Sequence, residues 1–135
     1  MIRRTFLATA LAFATTATGA RADAAEIEAI IGAQLEAFKA DDFAQAFSYA
    51  SPMIQSMFGS SDRFGVMVRN GYPMVWRPAE VQFLGLEDRG GSLYQTVRIR
   101  DAQGGTHLLE YQMIRNASGW RINGVQLLRD TSVGA

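Results

Sequence analysis

The feature that most constrains this chain is a change of hydrophobic period at a pair of prolines. Before Pro73 the apolar residues recur every three to four positions, and beyond Pro78 they alternate. The first pattern buries one stripe of a helix, the second one face of a strand. Helices first and strands afterwards, with short turns between the strands, make an α+β domain. The prolines bracket Met74-Val75-Trp76-Arg77. Proline stops a helix and biases its predecessor towards extended backbone, so this link reads as a loop.

Upstream of that link, residues 26–40 place Ile27, Ile30, Ile31, Leu35 and Phe38 on one helical face, with most charges elsewhere. Asp42 reads as an N-cap with Gln45 as its capping-box partner, starting a short second helix with Phe43, Ala46 and Phe47 on its apolar side. Ser51-Pro52 is another helix start, opening a turn or two that carries Met53, Ile54, Met57 and Phe58. Ser60 or Ser61 caps a further helix in which Phe64, Met67, Val68 and Tyr72 share a face, and Gly71 suits its C-terminal end.

Downstream, strands are predicted over 80–87, 93–100, 106–115 and 120–128, separated by Gly90-Gly91, Gly104-Gly105 and Asn116 to Gly119. Such short turns imply an antiparallel meander. The helices are expected on one face of a strongly curved sheet of about four strands. Leu93, Gln95, Val97 and Ile99 form the apolar set of the second strand. The third strand is half apolar on both faces, with His107, Leu109, Tyr111 and Met113 opposing Leu108, Glu110, Gln112 and Ile114. A sheet covered on one side does not need that, so a partner subunit on the second face, a homodimer, is expected.

The N-terminus reads as an export signal. Arg3 and Arg4 supply a positive start, residues 5–19 are small and uncharged, and both Ala20-Arg21-Ala22 and Ala22-Asp23-Ala24 fit a cleavage site. The stretch is too short and too rich in threonine for a membrane span, which needs ~20 apolar residues. The expected division is a signal peptide over 1–22, cleaved after Ala22 or Ala24, and a single domain over 26–130. No integral membrane span is expected after processing. Arg3-Arg4-Thr5-Phe6-Leu7 resembles the twin-arginine motif, without its flanking polar residue and lysine, and the Sec route is the alternative. Either way the protein is expected in the periplasm or outside the cell.

Composition excludes several function classes. With 135 residues the chain holds one domain. Without cysteine there is no disulfide scaffold, thiolate metal site or cysteine nucleophile, and one histidine cannot form a multi-histidine metal site. The 13 basic and 13 acidic residues balance, and losing Arg3, Arg4 and Arg21 on processing would leave the domain negative. Nucleic acid is not an expected partner. The glycine pairs lie in hairpin turns, not before a helix, so they form no phosphate loop, and no metal or cofactor is expected.

The helices-then-sheet order, the length and the closing Gly119-Trp120-Arg121-Ile122-Asn123-Gly124-Val125 resemble the nuclear-transport-factor-2-like superfamily, which includes SnoaL-like proteins. More narrowly, residues 27–128 resemble an exported family, Domain of Unknown Function 4864. The likeness rests on Gln34-Leu35-Glu36-Ala37-Phe38, Asp41-Asp42, Tyr49-Ala50-Ser51-Pro52, the segment from Phe64 to Tyr72-Pro73, and the tryptophan motif. The superfamily resemblance implies a cone with a pocket between helices and sheet. The narrower one carries no assigned activity.

Candidate ligand-binding residues for that pocket are Met53, Met57, Phe58, Met67, Tyr72, Trp76, Gln95 and Tyr111, with His107 and Asn123 also bearing usable chemistry. The methionines pack adaptably around an apolar ligand, and equally well as ordinary core. His107 is the sole side chain with an ordinary pKa near neutrality, which makes His107, Tyr111 and Asp41 the weak catalytic candidates. His107 and Tyr111 stand two alternation steps apart, too far for a direct hydrogen bond. A strand end beside a Gly-Gly turn favours a water-exposed His107, and Asp42 is better explained as a cap. Arg98 and Arg100 on one strand face could bind an anion, but such a pair is more often a solvated face, here with Glu110 or Glu87 as partners across the sheet. Three readings follow: a non-catalytic domain binding a small apolar or amphipathic molecule, a homodimeric interaction module of the cell envelope, and a SnoaL-like enzyme using His107. The first is preferred, because aromatic- and methionine-rich helix faces accompany a lack of catalytic groups.

Overall fold

A computed structural model describes residues 15–131 of the chain. The start of the expected signal segment, residues 1–14, lies outside the described residues. Helices α1 (Thr15–Lys39), α2 (Phe43–Ser48), α3 (Pro52–Phe58), α4 (Ser61–Gly71) and α5 (Pro73–Trp76) precede strands β1 (Pro78–Arg89), β2 (Ser92–Asp101), β3 (Thr106–Asn116) and β4 (Gly119–Thr131). The strands form an open antiparallel sheet in the order β1-β2-β3-β4. This is the expected α+β meander.

Helix α1 carries the core. Ile27, Ile31, Leu35 and Phe38 are buried at helical spacing. They pack with Val97 and Ile99 of β2, Leu109, Tyr111 and Met113 of β3, and Trp120 and Ile122 of β4. The alternation assigned to β2 and β3 holds: Gln95, Val97, Ile99, His107, Leu109, Tyr111 and Met113 are all buried. His107 is therefore not exposed to water, because strand alternation turns it inward beside Leu109.

The end of α1 shows why Asp41-Asp42 matters. The Asp42 amide donates to Ala37 O at 2.8 Å and the Asp41 amide to Phe38 O at 2.9 Å, the two bonds of a Schellman cap. Asp41 takes the left-handed position, φ 57°, where glycine is commoner. Its side chain supplies what glycine could not. The Asp41 carboxylate accepts from Trp76 Nε1 at 2.9 Å and from Arg77 Nη2 at 3.0 and 3.1 Å. Arg77 also donates to Phe38 O at 2.9 Å and lies 4.2 Å over the Trp76 ring. These contacts clasp the helix end to the start of β1.

Asp42 caps α2 as expected, accepting from the Gln45 amide at 3.1 Å. The capping box does not close, since the Gln45 side chain donates to Tyr49 Oη instead. The Pro73–Pro78 link also differs from expectation. It forms one helical turn, α5, because Pro73 occupies a first-turn position where its missing N–H costs nothing. That turn buries Met74 and Val75.

Four register shifts interrupt the described ladders and bend their strands, two of them beside candidate site residues. The β1–β2 register shifts between Phe83 and Leu86, leaving Leu84 and Gly85 out of the ladder. The β3–β4 register shifts between Gln112 and Met113, where Asn123 is the extra residue. Just before that bulge, the α2–α3 junction pairs with β4 as a parallel bridge between Ala50 and Ile122. The Ser51 amide donates to Ile122 O at 2.8 Å, and the Ile122 amide to Tyr49 O at 2.9 Å. Ser51 is fully buried. Its hydroxyl donates to Asn123 Oδ1 at 2.7 Å and accepts from the Ile54 amide at 3.3 Å as the N-cap of α3. The Tyr49-Ala50-Ser51-Pro52 stretch thus joins two helices and locks them to the bent strand.

Candidate functional site

The bend in β4 and the bridge at Ala50 hold α3 and α4 beside the sheet, and a cavity of about 230 Å³ lies between them. Its floor is buried: Gln34 and Phe38 of α1, Phe64 and Val68 of α4, Val75 of α5 and Ile122 of β4. Its upper wall is more open and comprises Ile54, Met57, Phe58, Met67, Tyr72, Gly124 and Val125. Helix α3 buries no residue completely, and Met57 is 64% exposed. Glycine at position 65 lets this assembly close. A Cβ there would stand 2.7 Å from the Phe43 ring, so only glycine lets α4 approach α2.

The cavity offers little polar chemistry. Gln34 Nε2 donates to Ala46 O at 3.1 Å. The Tyr72 hydroxyl donates to Val125 O at 3.3 Å. Phe64 centres an aromatic cluster, with Phe38, Phe47 and Phe58 centroids 5.8, 5.1 and 5.6 Å away. The Phe58 contact is edge-on, at 69°.

The structure brings together four of the eight expected ligand-binding residues, Met57, Phe58, Met67 and Tyr72, on the cavity wall. Met53 is off the wall and 52% exposed, because it lies on the outer side of α3. Trp76 belongs to the clasp with Asp41 and Arg77. Gln95 is 1% exposed and does not line the cavity. Its Nε2 contacts the carbonyls of Leu84, Gly85 and Thr96 at 3.1, 3.2 and 2.9 Å, two of which belong to the residues outside the β1–β2 ladder. Tyr111 is buried behind the wall, and its hydroxyl has no hydrogen-bond partner among the described residues. Burial raises its pKa above the usual phenol range, and Tyr72 adds to the shift. Asn123 serves the bulge through Ser51 rather than the cavity.

The catalytic candidates are dispersed. Asp41 lies in the clasp at the end of α1, where Trp76 first and Arg77 second hold its carboxyl below the ordinary value. His107 pairs instead with Asp101 across the β2–β3 turn, Nε2 to Oδ2 at 2.7 Å. Asp101 also accepts from the Gly105 and Gln103 amides at 2.8 and 2.9 Å. The bond to His107, followed by that to Gly105, lowers the Asp101 pKa. A carboxylate six residues before a histidine, across a Gly-Gly turn, is a spacing legible in the sequence. Neither residue lines the cavity. Among the described residues no group of three or more His, Asp or Glu could hold a metal.

The opposite face of the sheet is charged. Arg89, not Arg98 or Arg100, reaches Glu110 and Glu87, and it lies 4.2 Å over the Tyr94 ring. Those bonds, Glu110 first, raise the Arg89 pKa. Arg98 and Arg100 meet Gln82 and Glu80, which face them directly in the β1–β2 register. No helix of the described residues is long and apolar enough to cross a membrane.

A family model described as "Domain of unknown function (DUF4864)" matches residues 20–135. None of the curated proteins compared matches the chain. Among solved structures, the solution structure of a SEC-C motif containing protein from Rhodopseudomonas palustris shares 16% identity. The likeness covers 70% of this chain and 72% of that one, with a TM-score of 0.48.

Proposed function

The chain belongs to the DUF4864 family, and from that starting point we propose that it is an exported, non-catalytic domain that binds a small apolar or amphipathic molecule. The cavity between α1, α3, α4 and β4 carries this reading: it is apolar and walled on one side by exposed Met57. Ligand sites are typically concave and apolar, with a few placed polar groups. Both polar side chains on this wall, Gln34 and Tyr72, already spend a donor on a backbone carbonyl. The hydrogen-bonded pair of Asp101 and His107 lies off the cavity wall, which supports binding without catalysis. Helices gathered on one face of a bent antiparallel sheet also support placement in the nuclear-transport-factor-2-like superfamily, as a cone with its pocket between the layers.

Export is supported by the positive start, the uncharged stretch and the small-residue cleavage sites. It is also compatible with the core. Residues 19–26 are exposed or half-buried, and Ile27 is the first buried residue of α1 among those described. Cleavage after Ala22 or Ala24 would shorten α1 and leave its buried residues, from Ile27 onward, in the chain.

Native mass spectrometry of the protein secreted into a bacterial periplasm and purified gently tests both parts. The expected species is the chain shortened by 22 or 24 residues, carrying added mass that denaturation removes. Val125→Phe, which puts a ring into the cavity from its edge, is expected to abolish that added mass while the processed chain stays folded. A full-length chain would contradict export. A processed chain that retains nothing, and takes up no small apolar compound, would contradict binding.

A further inference from the structure

We infer that the ligand of this cavity is a single-ring aromatic compound of about nine non-hydrogen atoms, with its polar group at Tyr72; this rests on the binding reading above. Size comes first. An apolar cavity of about 150 Å³ accepts benzene, which has six heavy atoms. A cavity of about 230 Å³ is half again as large, and scaling gives about nine heavy atoms held between its walls. That is below the usual range for drug-sized ligands and admits one ring with a short substituent.

Shape and chemistry then favour a ring over a chain. Phe38, Phe58 and Phe64 all line the cavity and already pack tilted or edge-on, 5.8 and 5.6 Å between centroids. A further ring among them gains the same quadrupole contacts, which an alkyl chain cannot make. Met57 and Met67 lie on the same wall, and thioethers contact aromatic ring edges favourably. Tyr72 is the sole hydroxyl-bearing residue on the described wall. Its proton is donated to Val125 O, so its oxygen stays available to accept from a ligand O–H. A phenol or benzylic alcohol therefore meets an acceptor there, at the more open side of the cavity, whereas the side chains of Phe38, Phe64 and Val68 on the buried floor offer it none.

A matched pair of probes tests this. 4-Ethylphenol and 1-octanol each have eight carbons and one hydroxyl, and octanol is the more apolar. Calorimetric titration of the processed protein is expected to show 4-ethylphenol binding about tenfold more tightly, the size of one to two aromatic pair contacts. Phe58→Leu, at a half-buried position on the wall, is expected to narrow that preference to about threefold or less, and Tyr72→Phe to weaken 4-ethylphenol more than octanol. If octanol binds as tightly or more tightly, and Val125→Phe blocks it, the aromatic inference fails and the cavity reading stands. If neither probe binds, or binding of both survives Val125→Phe, the cavity reading fails with it.

Discussion

Asp101 shows how one carboxylate can organise a turn and a buried ring together. It accepts from two backbone amides of the β2–β3 turn and from His107, which is 5% exposed. These bonds favour the charged carboxylate, so its pKa falls below the ordinary 3.8. A depressed carboxylate pKa contributes stability that is present above the unfolded value and lost as pH falls through the folded value. Asp101→Asn is therefore expected to be less stable than the parent at pH 7. The gap should close as pH drops well below 3.8, where the parent's carboxylate is also neutral. Urea unfolding across that range checks it, and a gap that widened in acid would contradict the assignment. Asp41 is a second case of a residue whose role is visible only in the fold. In sequence it is one of two adjacent aspartates and a catalytic candidate alongside His107 and Tyr111. In the structure the backbone turns through it with positive φ, and its carboxylate faces Trp76 and Arg77, far along the chain.

At the scale of elements, periodicity made most of the fold legible and bulges hid the rest. The meander, the caps at Asp42, Ser51 and Ser60, and the inward face of β2 and β3 all follow from local patterns. Helix α5 departs from the expected loop because proline, which ends one helix, also suits the first turn of the next. Gln95 departs from expectation for a different reason. A polar residue in an apolar strand set looks like a ligand contact, and no one-strand pattern reveals that the neighbouring strand slips its register beside it. The bulge in β1 frees two carbonyls, and buried Gln95 reaches both. Gln95→Leu keeps the volume and removes these donors, so about 1–3 kcal/mol of stability should be lost, as for buried polar groups left unpaired. Ligand binding should be unchanged, since the side chain is off the cavity wall. A shift in the urea midpoint without a shift in ligand affinity is the expected result. Loss of affinity at full stability would instead return Gln95 to the site. The bulge at Asn123 had the same effect on the tryptophan motif. It turns Gly124 and Val125 onto the cavity wall, a placement that strict alternation along β4 does not supply.

At the scale of the molecule, the two faces of the sheet have different characters. The helix-covered face holds the core and, towards β4, the apolar cavity. The other face carries the Arg89, Glu87 and Glu110 ion pairs and the Arg100–Glu80 pair. Sequence reading placed apolar residues on both faces of β3, but it could not see that Arg89 of β1 lies over Tyr94 and reaches Glu110. The proposed binding site lies on the helical side, where α3 covers the cavity without burying any of its own residues. The methionines provide a direct test, because the chain has six and they sample distinct places. Met57 and Met67 line the cavity, Met53 is exposed off its wall, and Met74 and Met113 are buried in the core. In methyl-labelled protein titrated with 4-ethylphenol, the Met57 and Met67 methyl resonances are expected to shift saturably while Met53 and Met113 stay in place. Unmoved Met57 and Met67 resonances at saturating probe, or equal shifts at every methionine, would contradict a binding site between α3, α4 and β4.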